Sequence, residues 1–349
     1  MNKYYTRACN FYYGATSQKN IIKKLSVPLN GNKLVSFDKV EIISRKKSRI
    51  INIKDISKLS KTLKLKINKD LKNIKKRKKF KKLNLSDIPI FMGIVNLTPD
   101  SFSDGGKYNN KNLAVKHINN LLSNGAKIID IGGESTKPGA SDISPTKEWD
   151  RIKLVLKYLK NKKIFVSLDT RKCFVMKKAS KIKVDLINDI SGLNYDLETI
   201  NYLKKTKKPF VINHIKGTPK NMQIKPSYKN VLLDIYDFFE TKIKYIRKQG
   251  IKHNNIILDP GIGFGKNLKH NITLLKNISI FHSLGLPVML GLSRKRFIKD
   301  ISNENDTKER LGGTISSCIS SYLQGVQILR VHDVKEINQA FKVFKKLQN

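Results

Sequence analysis

Three motifs in this sequence end an apolar run with one polar side chain that could bind a ligand: VSLDTRK (166–172), LINDISG (186–192) and LDPGIGFGK (258–266). They supply Asp169, Asn188 and Asp259, which are two carboxylate acceptors and a carboxamide that can donate as well as accept. The third motif adds three glycines and Phe264, a composition that permits close contact with a flat ligand. This set suits the donor and acceptor edge of a fused nitrogen heterocycle.

Basic side chains cluster after the last two apolar runs. Ser293, Arg294 and Lys295 follow one run, and Arg330 and His332 follow the next. Such groups can neutralise a polyanion, and parallel barrels often hold phosphate after their last two strands. The sequence therefore predicts a ring-binding end and a phosphate-binding end within one site.

The sequence patterns offer no group for covalent catalysis. No nucleophile elbow, Cys-His pair or paired-carboxylate motif stands out, and the phosphate loop GxxxxGK followed by Ser or Thr is absent. We therefore expect the chemistry to run through positioning and charge stabilisation rather than through a covalent enzyme intermediate.

Eight strand-like runs alternate with helical patterns from residue 88 onward, which predicts an α/β fold. The strands are expected at 90–96, 127–132, 164–169, 185–189, 210–214, 256–259, 287–291 and 327–331. The clearest helices are expected at 148–159, 231–248, 272–284, 309–324 and 334–347. Eight units in about 260 residues match a (β/α)8 TIM barrel, whose reaction site lies at the carboxyl ends of its strands. A doubly wound open sheet is the alternative, but no GxGxxG turn follows the first strand.

The predicted strand ends all carry polar groups. In chain order these groups include Asn96, Asp130, Asp169, Asn188, His214, Asp259, Lys295 and Arg330. Each of them taken singly could cap a helix or form a turn. Their presence at eight strand ends out of eight is what an active site on one face of a barrel requires.

The chain is strongly basic, with 70 Lys or Arg against 27 Asp or Glu and a formal net charge of +43. This excess is compatible with a polyanionic partner such as RNA, but the lysines are spread over nearly every helix, so we do not expect nucleic-acid binding. Residues 1–87 hold 25 Lys or Arg against 5 Asp or Glu and form a basic N-terminal extension before a barrel at 88–349. The lysine-rich run at 72–84 indicates a solvated linker or mobile helix, with an RNA-binding arm as the alternative. The alternation at 33–45 predicts a strand or hairpin.

Three cysteines, Cys9, Cys173 and Cys318, lie far apart and show neither disulfide-framework nor zinc-site spacing. The first residues lack the apolar core of a secretory signal, and no run of about 18 apolar residues occurs. We therefore expect a cytoplasmic protein that has no membrane span.

The chain resembles the dihydropteroate synthase family of pterin-binding barrels. The motifs that carry this resemblance are GIVNLTPDSFSDGG (93–106), IIDIGGESTKPGA (128–140), SLDTRK, INDISG, HIKGTPKNMQ (214–223), LDPGIGFGK, GLSRK (291–295) and RVHDV (330–334). They follow the family's order over about 240 residues, and although each motif alone is only moderately specific, the set is highly specific.

The resemblance implies condensation of a 6-hydroxymethyl-7,8-dihydropterin diphosphate with 4-aminobenzoate, with release of diphosphate and with Mg2+ as cofactor. It places the pterin on Asp169, Asn188, Asp259 and Lys295. It places the diphosphate and its metal on Asn96, Arg330 and His332, with Asn96 as the metal ligand. Thr136 and the loops after the first two barrel strands would shape the aminobenzoate pocket, with Phe264 and Ser293 as neighbours. The family is commonly homodimeric through its barrel helices.

Two positions depart from the family pattern. Lys137 stands where the family usually has Arg, and Lys lacks the planar fork that grips an anion at two points. The family's Met-His-Met is Asn213-His214-Ile215 here. The first change is expected to affect loop closure, aminobenzoate affinity and sulfonamide response, and the second to reshape the wall of the pterin pocket.

Two other functions within the same superfamily compete with a synthase. A pterin-binding methyltransferase would have no diphosphate to hold, so Lys295, Arg330, His332 and the long loop at 97–106 favour the synthase. A catalytically silent pterin-binding homologue would be expected to have lost its loop motifs, and both loop motifs are present.

Overall fold

A computed structural model describes residues 3–78, 80, 83, 85, 88–98, 109–137 and 139–348. The N-terminal extension folds into an antiparallel four-stranded sheet with two helices. Its elements are β1 (Tyr5–Tyr13), α1 (Gly14–Ile22), β2 (Val27–Leu29), β3 (Asn32–Ile43), β4 (Ser48–Asn52) and α2 (Lys61–Lys75). The long strand β3 pairs with the other three strands. It covers most of the range 33–45, where the alternation predicted a strand or hairpin, and the hairpin partner β4 lies beyond that range. A 3-10 turn at Ile53–Lys58 leads from this hairpin to α2.

The extension has a small core of its own and also packs against the barrel. Its sheet and α2 bury Phe37, Val40 and Ile67 together. Hydrogen bonds join it to the rest of the chain, among them Ser279 Oγ to the Ala8 carbonyl at 2.9 Å. The basic run therefore begins in α2, which packs through its apolar side while Lys72 and Lys75 are exposed, and Lys78 after the helix is buried.

Eight parallel strands follow and close into a barrel. They are β5 (Ile90–Asn96), β6 (Ile128–Gly132), β7 (Phe165–Asp169), β8 (Leu186–Asp189), β9 (Phe210–Asn213), β10 (Ile256–Asp259), β11 (Met289–Gly291) and β12 (Ile328–Val331). Neighbouring strands pair in the order β10-β9-β8-β7-β6-β5-β12-β11. The ring closes between β10 and β11, where the Leu258 amide donates to the Pro287 carbonyl at 2.9 Å. The predicted TIM barrel is confirmed, and the predicted strands differ from the observed ones by at most two residues at an end.

Helices cover the outside of the barrel. They are α3 (Asn109–Ser123), α4 (Pro145–Leu159), α5 (Cys173–Ser180), α6 (Glu198–Thr206), α7 (Val231–Lys248), α8 (Leu268–Lys276), α9 (Arg296–Ser302), α10 (Leu311–Leu323) and α11 (Val334–Gln348). Helix α4 begins three residues before its predicted start, because the Ser144 side chain accepts from the Lys147 amide and Pro145 opens the first turn. No helix in the described part of the chain is long and apolar enough to cross a membrane.

The helix expected at 272–284 is wrong in its second half. Helix α8 ends at Lys276, and Ile278–Leu284 forms a fully buried 3-10 segment instead. Asn277 adopts a non-helical backbone (φ −126°) and its side chain donates to the Thr273 carbonyl at 2.8 Å, so the helix ends there. Packing of 278–284 against β1 and α2 of the extension then decides its conformation, which a helical period alone does not reveal.

Apolar residues near the starts of the strands fill the lower part of the barrel. Met92, Ile128 and Met289 lie in this cluster, and Phe80, which precedes the first barrel strand, is buried among them. The polar side chains at the opposite, carboxyl ends of the strands are therefore held over a packed floor.

Replacing Phe80 with Ala is expected to lower the free energy of unfolding by about 3 to 5 kcal/mol, since a buried aromatic ring leaves a cavity under the barrel. Urea unfolding followed by circular dichroism measures this change. The matched control is Phe174→Ala, a ring that is 40% exposed on α5, for which a loss below about 1 kcal/mol is expected. Equal losses in the two variants would contradict the packing described for Phe80.

Candidate active site

One guanidinium joins three barrel strands. Arg330, on β12, donates from Nε to Asp130 Oδ2 on β6 and from Nη2 to Asp169 Oδ2 on β7, each at 2.6 Å. Asn188, at the end of β8, donates its amide to the same Asp130 oxygen at 3.1 Å. The Asp130 side chain is fully buried, whereas Arg330 remains 18% exposed and faces the open mouth of the barrel. The hydrogen-bonded partners in this cluster lie 58 to 200 positions apart in the chain.

Burial and charge act against each other in this cluster. Burial raises the pKa of Asp169 above its ordinary value, and the nearby Arg330 charge opposes that change. Burial also works against the positive charge of Arg330, but Asp130 and Asp169 outweigh it and raise the pKa of the guanidinium. Arg330 therefore stays charged at any working pH, and its charge compensates two carboxylates in a site that water reaches poorly.

Asp259 is held in place by the glycine-rich turn that follows it. The Gly261 amide donates to Asp259 Oδ1 at 2.8 Å. The other carboxylate oxygen, Oδ2, can therefore accept a hydrogen bond from a ligand. Gly261 has a φ of +67°, and a Cβ there would lie 2.1 Å from the His214 carbonyl oxygen. Only glycine fits this turn, so the LDPGIG sequence fixes the orientation of the carboxylate. Burial raises the pKa of Asp259 as well.

Lys295 and Phe264 face each other across the mouth. The Lys295 ammonium lies 4.1 Å from the centre of the Phe264 ring, a cation–π contact. Among the described residues, no carboxylate pairs directly with Lys295, although Asp259 is close enough to favour its charged form. Burial lowers the pKa of Lys295 to about 8. Lys295 is therefore a cation that a bound anion or carbonyl oxygen can engage without first breaking a salt bridge.

The segment after β11 carries less available charge than its sequence indicates. Arg294 donates from Nε to Asp333 Oδ2 at 3.0 Å, so its positive charge is already compensated by a neighbouring carboxylate. Burial lowers the pKa of His332 to about 3, and the charges of Arg330 and Arg294 act in the same direction. His332 is thus a neutral imidazole, and its amide donates to Ser293 Oγ at 3.3 Å. Of the four basic side chains predicted for the phosphate-binding end, Lys295 is thus the one cation without a carboxylate partner among the described residues. Arg330 can meet a ligand only while it stays paired with Asp130 and Asp169.

Asn96 lies at the end of β5, the strand between β6 and β12. Strand pairing aligns Asn96 with Gly132 and Gly132 with Asp169. A Cβ on Gly132 would lie 3.6 Å from Asn96 Oδ1 and 3.4 Å from Asp169 Cβ, so the two side chains flank the glycine. The carboxamide oxygen of Asn96 therefore belongs to the same mouth as the Arg330 cluster. The loop that follows, at 99–108, lies outside the described residues.

Thr136 and the exposed Lys137 lie in the loop after β6. The tip of this loop touches the loop after β9, where the Gly139 amide donates to the Pro219 carbonyl at 3.0 Å. Its base carries Glu134, which is buried and ion-paired. The loop thus stands at the rim of the mouth, with Thr136 two residues beyond its anchored base.

Two residues of this site were not among the site residues predicted from sequence. Asp130 is the middle residue of β6, paired with Ser167 two positions before Asp169, and a carboxylate inside an apolar strand was the available signal. Lys266, the last residue of LDPGIGFGK, is buried and donates to His214 Nδ1 at 3.0 Å and to the Phe264 carbonyl at 2.9 Å. It braces the segments after β9 and β10, which explains why a lysine ends that motif. Burial lowers the pKa of Lys266 and also that of His214, so the imidazole is a neutral acceptor.

Comparison with known proteins agrees with this architecture. The profile of the family described as "Pterin binding enzyme" matches residues 92–332. The dihydropteroate synthase of Escherichia coli strain K12 is 40% identical over 256 residues, which cover 73% of this chain and 90% of that protein.

Solved structures align over the same region. The Yersinia pestis dihydropteroate synthase in complex with a sulfonamide drug is 41% identical, with a TM-score of 0.72, covering 76% of this chain and 96% of that one. The Xanthomonas albilineans dihydropteroate synthase in complex with 7,8-dihydropteroate is 32% identical, with a TM-score of 0.69, covering 76% of this chain and 95% of that one. With the motifs, the barrel and the mouth residues in agreement, the chain belongs to the dihydropteroate synthase family of pterin-binding enzymes.

Proposed function

We propose that this chain condenses (7,8-dihydropterin-6-yl)methyl diphosphate with 4-aminobenzoate, giving 7,8-dihydropteroate and diphosphate. One observation carries the proposal: Arg330 bridges Asp130 and Asp169 in the same mouth that holds Asn188 and Lys295. This arrangement offers acceptors for a heterocycle and cations for an anionic leaving group, side by side. Related proteins with sulfonamide or 7,8-dihydropteroate bound support the same substrates.

The pterin is assigned to the buried polar groups. Its amino and ring N–H donors meet Asp259, whose Oδ1 is already oriented by the Gly261 amide, and the carboxamide of Asn188. Lys295 donates to the ring's acceptors, and Phe264 covers its face. A site built on hydrogen bonds to a substrate rejects analogues that lack those groups, because its buried polar atoms would then be left unpaired.

The diphosphate is assigned to the rim beside Arg330, His332 and Asn96. When diphosphate leaves, negative charge grows on its oxygens, and the fixed Arg330 guanidinium stabilises that charge without reorganising. The pterin ring can spread the positive charge left on the methylene group. The amine of 4-aminobenzoate is neutral at physiological pH, so its nitrogen can attack without a strong general base. The absence of a covalent nucleophile from the sequence patterns is consistent with this route.

We also propose Mg2+ as cofactor, with the Asn96 carboxamide oxygen as its protein ligand. Mg2+ takes oxygen ligands, keeps several waters and is usually held by one or two protein groups plus substrate phosphates. No described group of three His, Cys, Asp or Glu side chains is arranged to hold a metal, so a single oxygen at the mouth fits a metal that arrives with the diphosphate. Bound there, Mg2+ would take up charge from the leaving group.

A homodimer and a cytoplasmic location complete the proposal. The extension packs against the 278–284 segment and contacts α11, so a dimer through barrel helices would use the helical surface that remains. All three cysteines are buried and unpaired, which fits a reducing compartment.

The proposed reaction is tested by mixing purified protein with the pterin diphosphate, 4-aminobenzoate and Mg2+, and measuring diphosphate. Release that depends on the amine supports the synthase. A pterin-binding methyltransferase or a silent homologue would bind a pterin but release no diphosphate when the amine is added.

Asp259→Asn is expected to weaken binding of a diphosphate-free pterin by about 10- to 100-fold, because a charged acceptor contributes about 1.5 to 3 kcal/mol to a hydrogen bond. Isothermal titration calorimetry measures the dissociation constant. The control is Asp150→Asn, a carboxylate whose side chain is 52% exposed on α4 and which should leave binding unchanged. Unaltered affinity in Asp259→Asn would remove Asp259 from the pterin site.

The rate is expected to depend on the protonation of Lys295. Since the pKa of Lys295 is lowered to about 8, the ammonium form predominates below that pH and is lost above it. The kcat/KM for the pterin diphosphate should therefore fall as the pH rises through about 8. Lys295→Arg should move that fall to higher pH because a guanidinium keeps its charge. A profile with the same alkaline limb in both proteins would show that another group titrates.

A further inference from the structure

Four buried charges lie beneath the loop after β6. Glu134 Oε2 accepts from Arg171 Nε at 3.0 Å and Oε1 accepts from Lys172 Nζ at 2.6 Å. The same ammonium donates to Glu148 Oε2 at 2.8 Å. Each of the four side chains is at most 5% exposed. Two cations and two carboxylates thus balance their charges out of contact with solvent.

This cluster is a costly way to stabilise a fold. Taking four charges from water costs several kcal/mol per ion, and apolar residues of similar size often serve stability equally well. Burial by itself would raise the pKa of Glu134, but hydrogen bonds from Arg171 and Lys172 outweigh burial and lower it. Glu134 is therefore ionised at neutral pH. A role in fixing geometry accounts for the cluster better than a role in stability.

Glu134 ties together the two ends of the loop. Besides its two cationic partners, its Oε1 accepts from the backbone amide of Ile143 at 3.2 Å. Arg171 makes a second contact with the loop, because its Nη2 donates to Asp142 at 2.6 Å. The same guanidinium stacks 4.2 Å from the centre of the Tyr195 ring. The residues between Glu134 and Ile143, which include Thr136 and Lys137, thus form a loop that is closed at its base by one carboxylate.

The two cations that hold the loop, Arg171 and Lys172, lie in the same short segment as Asp169 of the active site. Arg171 and Lys172 follow Asp169 by two and three positions, so one short stretch after β7 holds Asp169 toward Arg330 and grips the loop from below. The base of the loop and the mouth therefore share one rigid support. A shift of the loop base would move Thr136 relative to Asp169, and misplacement on the scale of 1 Å is enough to reduce a rate strongly.

We propose that Glu134 is a positioning residue that sets the aminobenzoate side of the active site through Arg171 and Lys172. This inference rests on the proposed function, in which the loop carrying Thr136 and Lys137 borders the aminobenzoate. Glu134 touches no substrate. Loss of its charge frees the loop base. Asp169 keeps its place through Arg330 and the β7–β8 pairing, and Asn188, Asp259 and Lys295 do not contact the Glu134 cluster, so the groups assigned to the pterin stay in position.

Steady-state kinetics of Glu134→Gln test this inference. The KM for 4-aminobenzoate is expected to rise at least 10-fold, while the KM for the pterin diphosphate stays within about twofold of the wild type, since only the loop loses its anchor. Inhibition by a sulfonamide that competes with 4-aminobenzoate should weaken in parallel. The matched control is Glu198→Gln, which removes an exposed ion pair between α6 and Lys177 on α5 and should change neither constant.

A second variant covers the case in which Glu134→Gln does not fold. Asp142→Asn removes only the ion pair with Arg171, at a side chain that is 57% exposed. It should raise the KM for 4-aminobenzoate by a smaller factor than Glu134→Gln. Equal rises in both KM values, or unchanged values in both variants, would overturn the positioning role. Failure of the proposed function is a separate outcome, because the wild type would then release no amine-dependent diphosphate.

Discussion

The mouth of this barrel depends on the contact of Arg330 with Asp130 and Asp169. This guanidinium connects β12 with β6 and β7, and two buried carboxylates depend on it for charge compensation. Without it, their negative charges would face each other in a site where water screens poorly. The planar fork of arginine is needed because a lysine cannot donate to both carboxylates in fixed directions. A polar site can therefore exist on top of an apolar barrel.

The remaining contacts of the mouth add to this centre in layers. The Gly261 amide orients Asp259, and the buried Lys266 joins the segments that follow β9 and β10. Beyond these, the Glu134 cluster holds the rim loop from below. Each layer uses a buried charge or a special backbone conformation, which costs free energy and is retained where geometry matters. Acceptors for a heterocycle thus lie next to cations for diphosphate, which is the requirement of the proposed condensation.

The barrel was predictable from sequence because its strands are short apolar runs that end in polar residues, a pattern that depends on few neighbours. Segment 278–284 was mispredicted because its conformation depends on packing against the extension, far away in sequence. The mouth residues could be named from their positions at strand ends, but their partners could not. Nothing in the local sequence shows that Arg294 pairs with Asp333 or that His332 is neutral, since both follow from burial and from charges on other elements.

A double-mutant cycle between Arg330 and Asp169 tests the central claim, that these residues act as one electrostatic unit holding the pterin. The dissociation constant of a diphosphate-free pterin would be measured for the wild type, Arg330→Met, Asp169→Asn and the double variant. The expected coupling energy is about 2 to 5 kcal/mol, because removing one partner leaves the other charge buried and uncompensated. Effects that add to within about 0.5 kcal/mol would show that the two residues act independently and would contradict the account.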